Sequence, residues 1–126
     1  MKKSINGTIL LVDDEIEVCR VIRDYLEINN FKVYEAHHGA EALEFLKKIK
    51  PNLIILDVLM PVMDGFGLLK KLKNNRAYMG IPVIMLTVKS EPKNFGKGIS
   101  LQADFYLPKP FKLANLRNFI NLIVKE

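Results

Sequence analysis

A short apolar run followed by a helical pattern occurs five times along this chain of 126 residues. The apolar runs cover residues 9–12, 32–36, 53–56, 83–86 and 105–107. Strands that alternate with helices favour right-handed crossovers, which produce a parallel sheet with helices on both faces. The sequence therefore predicts an α/β protein, and its length is that of a single domain, taken as residues 1–126.

The patterning of the five runs predicts their order in the sheet. Residues 9–12, 53–56 and 83–86 are apolar throughout, as central strands covered on both faces are. The run 32–36 alternates and the run 105–107 is short, which favours edge strands. A doubly wound, flavodoxin-like (βα)5 sheet with the order 2-1-3-4-5 meets these requirements. Its ligand crevice opens at the carboxyl ends of strands one and three.

The helical patterns are of unequal strength. The first has five apolar residues at helical spacing after Asp14-x-x-Glu17, which resembles a capping box. Further helices are predicted over residues 41–49, 66–73 and 92–100, and Gly96 and Gly98 lower the helix propensity of the last of these. The final helix is indicated by Leu113, Leu116, Ile120 and Ile123.

Composition and charge exclude several classes of protein. Cys19 is the only cysteine, so neither an internal disulfide nor a metal cluster of cysteines can form, and a reducing cytoplasm is the expected compartment. The apolar run 9–12 ends at Asp13 and is too short for a signal peptide or a membrane span. The formal net charge of +5 permits acidic partners, but no nucleic-acid-binding signature accompanies it. We therefore expect neither membrane insertion nor direct nucleic-acid binding.

Three aspartates stand where the first and third runs end. Asp13 and Asp14 follow the first run and Asp57 follows the third, so their carboxylates are expected to converge at the crevice. Clustered like charges raise a pKa or recruit a cation, and an all-oxygen site suits Mg²⁺, with Mn²⁺ as a substitute. Alternatively, Asp14 caps the first helix and Asp57 caps a loop, which are ordinary positions for aspartate. Three aspartates on two adjacent strands favour a metal site.

A hydroxyl and an ammonium are expected beside the same crevice. Thr87 ends the fourth run and Lys109 follows the fifth, although each taken alone is ordinary, as a strand former and a surface lysine. Three carboxylates and one ammonium leave two net negative charges, which a divalent cation balances. A phosphoryl group could then enter a nearly neutral site. A cis bond between Lys109 and Pro110 would direct the lysine back toward the crevice.

With these residues in place, the chain resembles the receiver (CheY-like) domain of two-component response regulators along nearly its whole length. Any one matching fragment is weak, whereas all four in order, each at the expected strand end, are specific. The four segments are Leu11-Val12-Asp13-Asp14-Glu15, Asp57-Val58-Leu59-Met60-Pro61-Val62-Met63-Asp64-Gly65, Thr87, and Lys109-Pro110-Phe111.

The resemblance implies a signalling domain rather than an enzyme. Asp57 would be the phosphoacceptor, which receives a phosphoryl group from a sensor histidine kinase or a phosphotransfer protein. Asp14 would bind Mg²⁺ directly and Asp13 mostly through water. The backbone carbonyl of Leu59 would be a further metal ligand.

The resemblance also implies a switch. Lys109 would pair with the phosphoryl group, the Thr87 hydroxyl would move to contact it, and Tyr106 would turn inward behind it. Plain core packing is the alternative interpretation of Tyr106. No general base is required, which fits the expected position of His37 and His38 on the surface after the second strand.

The implied output surface consists of the fourth helix, the fifth strand and the fifth helix. Over residues 87–112 the net charge is +3, which suits a negatively charged partner segment or a homodimer, and a solvated surface explains the charge equally well. The charged residues of this segment are Lys89, Lys93, Lys97, Lys109 and Lys112, against Glu91 and Asp104.

Three other functions fit parts of the same pattern. A haloacid-dehalogenase-like phosphatase also combines Asp with Mg²⁺, but its second acid would fall on Leu59, and the chain has no cap domain. A nucleotide-binding module is disfavoured because the Gly-x-Gly segments 65–67 and 96–98 complete no phosphate-binding fingerprint. A receiver-like scaffold that binds partners without phosphate is disfavoured by the joint presence of four residues: Asp14, Asp57, Thr87 and Lys109.

Overall fold

The computed structural model describes residues 6–58, 65–88 and 103–123. Five parallel strands form one sheet with the order β2-β1-β3-β4-β5, which confirms the predicted order and both predicted edges. The strands are β1 (Gly7–Val12), β2 (Phe31–Ala36), β3 (Leu53–Asp57), β4 (Val83–Val88) and β5 (Phe105–Lys109).

Four helices are described, and they cover both faces of the sheet. They are α1 (Ile16–Ile28), α2 (Gly39–Leu46), α3 (Gly65–Lys73) and α4 (Leu113–Ile123). The predicted helix over residues 92–100 lies outside the described residues. Within the described ranges, no helix is long and apolar enough to cross a membrane.

Two helix starts differ from the sequence prediction. The capping box at Asp14-x-x-Glu17 is wrong, because α1 has Glu15 at its N-cap position and no side chain caps it. The Glu15 N–H donates instead to Oδ1 of Asp13, at 2.9 Å, which draws the start of the helix toward the end of β1. Helix α2 begins two residues earlier than predicted because His38 is its N-cap and accepts a hydrogen bond from the Glu41 N–H.

The core has two halves because side chains alternate across each strand. From β1, Ile9 and Leu11 lie on the face covered by α1 and α4, where they meet Ile22 and Leu116. Leu10 and Val12 point to the opposite face, toward α2 and α3. Full burial of each such aliphatic side chain stabilises the fold by about 1.5 to 3 kcal/mol. The sheet between these two halves is the rigid support for the residues at its carboxyl edge.

The register of the strands determines which residues meet at that edge. Val12 of β1 pairs with Leu56 of β3, so Asp13 and Asp57, one position further along, leave the sheet side by side. In β4, Thr87 pairs with Pro108 of β5, which places Lys109 at the same edge.

Candidate functional site

The carboxylates of Asp13, Asp14 and Asp57 meet at the carboxyl edge of β1 and β3. One oxygen from each lies within 4.8 Å of the others. Asp13 is fully buried and Asp57 is 4% exposed, whereas Asp14 faces solvent. The three aspartates that the sequence placed at the crevice are therefore brought together by the fold, two of them beneath the surface and one at its opening.

Asp13 is fixed by its own backbone and by its neighbours. Its N–H donates to the Ala36 carbonyl at 3.0 Å, and its carbonyl accepts the Cys19 thiol at 3.3 Å. Burial raises the pKa of the Asp13 carboxyl, and the Glu15 N–H and the ammonium of Lys109 oppose that rise only in part. The site thus holds a carboxylate whose charge is poorly compensated by protein groups alone.

Lys109 is the cation of the site. Its Nζ lies 3.3 Å from Oδ1 of Asp57, 3.3 Å from Oδ2 of Asp13 and 3.5 Å from Oε1 of Glu15. Burial lowers the pKa of the Lys109 ammonium, but Asp57 and Asp13 outweigh it, so the pKa is raised overall. The Lys109–Pro110 bond, whose isomer the sequence left open, is cis.

Glu15 belongs to the site, and sequence reasoning missed it. Its carboxylate is a third partner of Lys109, and its N–H fixes the Asp13 carboxylate. The available signal was its position directly after Asp13 and Asp14 in the same acidic run. Because the Glu15 side chain is 61% exposed, it adds negative charge at the opening rather than inside the site.

The backbone that carries Asp57 is in contact with Gly65, the first residue of α3. The Gly65 N–H donates to the Val58 carbonyl at 2.8 Å. A Cβ atom at position 65 would collide with the Asp57 carbonyl oxygen and would lie 2.8 Å from Cα of Val58. Only glycine allows α3 to approach the end of β3 this closely.

The donor set fits Mg²⁺. All three candidate ligands are carboxylates, and Mg²⁺ prefers a few carboxylate oxygens with water in its remaining positions. Three aspartates against one lysine leave two net negative charges, which one divalent cation neutralises. Asp13, Asp14 and Asp57 are therefore the described residues that could hold the ion.

Of the remaining predicted site residues, the structure describes Tyr106 and Lys112 fully, Thr87 only in its backbone, and Leu59 not at all. Tyr106 lies in β5, packs against the core on the α2 and α3 face, and has a buried hydroxyl oxygen; burial raises the pKa of this phenol. Thr87 lies in β4, but its side chain is outside the described residues, as is all of Leu59. Of the lysines of the implied output surface, Lys112 is exposed near the end of β5. Lys89, Lys93 and Lys97 lie outside the described residues.

A second cluster, beside the aspartates, was also missed. His37 and His38 do follow β2 as predicted, but His37 is only partly exposed and contacts Oε1 of Glu35 through Nε2 at 3.2 Å. The buried thiol of Cys19 completes this group, and one donor atom from each residue lies within 4.8 Å of the other two. No sequence spacing indicates it, because the three residues come from α1, β2 and the turn after β2.

Comparisons with known proteins agree with this geometry. A family model described as the response regulator receiver domain matches residues 9–121. The probable transcriptional regulator ycf29 of Pyropia yezoensis is 40% identical over 116 residues, which are 92% of this chain and 52% of that protein. The chain spans about half the length of the curated relatives it matches.

Solved structures show the same fold. The chemotaxis protein CheY4 of Vibrio cholerae superposes with a TM-score of 0.87 and 30% identity, over 96% of this chain and 99% of that one. The receiver domain of a signal transduction histidine kinase from Syntrophus aciditrophicus gives a TM-score of 0.89 and 35% identity, over 94% and 89% of the two chains. The chain therefore belongs to the response regulator receiver domain family of two-component systems.

Proposed function

We propose that this chain accepts a phosphoryl group on Asp57 from a phosphohistidine of a sensor histidine kinase or a phosphotransfer protein. The observation that carries the proposal is the position of the Lys109 ammonium, 3.3 Å from both Asp57 and Asp13 within a group of three carboxylates. Receiver domains are signalling domains rather than classical enzymes, and they generally bind Mg²⁺ at this acidic pocket. We propose the whole chain, residues 1–126, as one such domain.

The transfer requires positioning and charge neutralisation more than proton chemistry. A carboxylate oxygen of Asp57 attacks the phosphorus, the new O–P bond replaces the P–N bond to histidine, and the imidazole leaves with its electron pair and takes a proton from solvent. Asp13, Asp14, Asp57 and the Leu59 carbonyl would hold Mg²⁺, which when bound neutralises charge on the phosphoryl oxygens. His37 and His38 have no part in this step.

Lys109 has two tasks in this proposal. Before transfer, it compensates the buried carboxylates of Asp13 and Asp57, which would otherwise repel each other and an incoming phosphate. After transfer, the phosphoryl oxygens carry the negative charge, and the ammonium pairs with them in a charge-assisted hydrogen bond. The same side chain thus supports the empty and the phosphorylated site.

The switch and the output follow from the added charge. Phosphorylation places strong acceptor oxygens at the end of β3, beside β4 and β5. We propose that Thr87 and Tyr106 respond and change the output surface implied by the sequence, which comprises residues 92–100, β5 and α4.

Response regulators interact with histidine kinases and output effectors. For this chain, the proposed partner of the output surface is a negatively charged segment or a second copy of the chain.

The direct test is to incubate the purified chain with acetyl phosphate or phosphoramidate and Mg²⁺ and to measure its mass by mass spectrometry. One added phosphoryl group, removed by hydroxylamine as an acyl phosphate is, is the expected result. Asp57→Asn should abolish the addition, and Asp24→Asn, which removes an exposed acid of α1, should leave it unchanged. Absence of any adduct with Mg²⁺ or Mn²⁺ contradicts the proposal and favours a scaffold that binds partners without phosphate.

A further inference from the structure

A thiol, an imidazole and a carboxylate converge on the face of the sheet covered by α1, outside the aspartate site. Cys19 of α1 is completely buried, Glu35 lies near the end of β2, and His37 follows β2 directly. One donor atom of each lies within 4.8 Å of the other two, and Nε2 of His37 is 3.2 Å from Oε1 of Glu35.

We propose that Cys19, Glu35 and His37 form a site for Zn²⁺ or a similar transition metal, distinct from the Mg²⁺ site. Sulfur, nitrogen and oxygen are the three donor types that zinc takes in proteins, whereas Mg²⁺ does not select a thiol or an imidazole. With bonds of about 2.0 to 2.3 Å in a tetrahedron, the donor atoms would stand roughly 3.3 to 3.7 Å apart. The His37 and Glu35 donors, 3.2 Å apart, are already close to that separation. The distances to the Cys19 sulfur have to shorten by no more than about 1.5 Å, and rotation of the partly exposed His37 ring can contribute to this.

The groups around the cluster are arranged as supports for a metal. Nη1 of Arg23 binds Oε2 of Glu35 at 3.0 Å, which leaves Oε1 directed at His37. Oε1 of Glu41 accepts the His37 backbone N–H and lies 3.8 Å from Nδ1 of the same residue. Ligating histidines commonly face a carboxylate with their second nitrogen, which fixes the ring and its tautomer. Glu41 stands in that position.

Charge and access also suit a cation. Asp13 and then Glu35 contribute most to a negative field at the Cys19 thiol, and the Lys109 ammonium opposes that field. Zinc would displace the thiol proton to solvent, and one thiolate with one carboxylate would balance its charge. Glu35 and His37 line a groove of about 700 Å³ on the protein surface, which gives a metal ion a path from solvent. The fourth coordination position would face this groove.

The test uses Co²⁺ as the probe on the full chain, freed of metals, reduced with a phosphine and held in excess Mg²⁺. Ligation by Cys19 would produce a thiolate-to-cobalt charge-transfer band in the near ultraviolet, which saturates at one ion per chain and disappears when Zn²⁺ is added. Cys19→Ser should abolish the band. Because that substitution lies in the core, His37→Gln is the second variant, and it should weaken cobalt affinity at least about tenfold.

Three further variants separate this site from its surroundings. Asp57→Asn, which removes the proposed phosphoacceptor, should leave the band intact, and so should His38→Gln, which removes the neighbouring histidine. Glu41→Gln should lower the affinity by about tenfold through the orientation of His37 alone. A missing band in the unaltered protein, a band that survives His37→Gln at full affinity, or an equal loss in His38→Gln overturns the proposal.

Discussion

The ammonium of Lys109 lies 3.3 Å from Oδ1 of Asp57, although β4 separates the strands that carry the two residues. The same ammonium lies 3.3 Å from Oδ2 of Asp13, so one lysine compensates the two buried acids of the site. The position of this lysine at the end of β5 makes the stability of the domain depend on the charge balance of the aspartate site.

Replacing Lys109 with methionine should destabilise the metal-free protein by about 2 kcal/mol. Removing one partner of a fully buried pair costs about 3 to 5 kcal/mol, and the 24% exposure of the Lys109 side chain reduces that figure. Urea unfolding at neutral pH measures the loss, and added Mg²⁺ should recover part of it. The control is Lys112→Met, which removes an exposed lysine close by and should change the stability by less than about 0.5 kcal/mol. Equal stabilities of the two variants would contradict the assigned ion pairs.

The approach of α3 to the end of β3 yields a second prediction. Gly65→Ala should destabilise the fold by about 1 to 3 kcal/mol, because the new Cβ meets the backbone of Asp57 and Val58, which no rotamer change can relieve. Alanine is otherwise the better helix former, so propensity alone predicts the opposite sign. The temperature of thermal unfolding and the rate of phosphorylation by acetyl phosphate should both fall.

The matched control for that substitution is Gly80→Ala. A Cβ at position 80 has no heavy atom within 4 Å, so stability and phosphorylation should stay close to those of the unaltered chain. A stable, normally phosphorylated Gly65→Ala variant would show that the contact with β3 is dispensable.

The sheet order could be predicted because burial on two faces leaves a mark in the sequence. Leu53 to Leu56 is apolar at every position, whereas β2 alternates, and that difference separates central from edge strands. The meeting of Asp13 with Asp57 followed from the order alone, since parallel strands end at one edge. Recognition of the receiver family rested on the same ordered segments.

The different exposure of Asp13 and Asp14 predicts different effects on metal binding and stability. Asp14 faces solvent, so Asp14→Asn should weaken Mg²⁺ affinity at least about tenfold by removing a ligand charge while changing the stability by less than about 0.5 kcal/mol. Asp13→Asn should alter both, because Asp13 is buried and bonded to Lys109 and the Glu15 N–H. Titration with Mg²⁺ followed by NMR measures the affinities. An Asp14→Asn variant with normal affinity would remove Asp14 from the ligand set.

Some contacts between side chains from different elements could not be predicted from the sequence. Glu15 reaches Lys109 across 94 residues of chain, and Cys19 lies near Glu35 and His37 only because α1 packs against β2. The start of α1 is a further example, because the Glu15 N–H donates to the Asp13 carboxylate, a bond that the local Asp14-x-x-Glu17 pattern does not indicate. Such choices depend on which partner is nearest after the sheet has formed, and a local pattern does not encode that.

Cys19 should resist alkylation in the folded, zinc-free protein. Burial, followed by the charges of Asp13 and Glu35, raises the pKa of this thiol from its ordinary 9.0 to about 12. Because the thiolate is the reactive form, labelling by iodoacetamide at pH 8 should be about a thousandfold slower than in the urea-unfolded chain. Mass spectrometry follows the reaction. Labelling within tenfold of the unfolded rate would show that α1 opens readily above the site.

Glu35 should make the stability of the fold depend on pH in the acidic range. Burial raises the pKa of its carboxyl, but hydrogen bonds from Arg23 and His37 outweigh burial, so the folded pKa lies below the ordinary value of 4.5. A lowered carboxyl pKa stabilises the fold fully above pH 4.5, and this contribution is lost as the pH falls through the folded pKa. In chelator, Glu35→Gln should therefore cost about 1 to 2 kcal/mol at pH 7 and progressively less below pH 4.5. Urea unfolding at a series of pH values measures the difference in stability between the variant and the unaltered chain. The control is Glu17→Gln, which changes an exposed glutamate of α1. A loss of stability in Glu35→Gln that stays constant down to pH 3 would show that packing rather than charge holds Glu35.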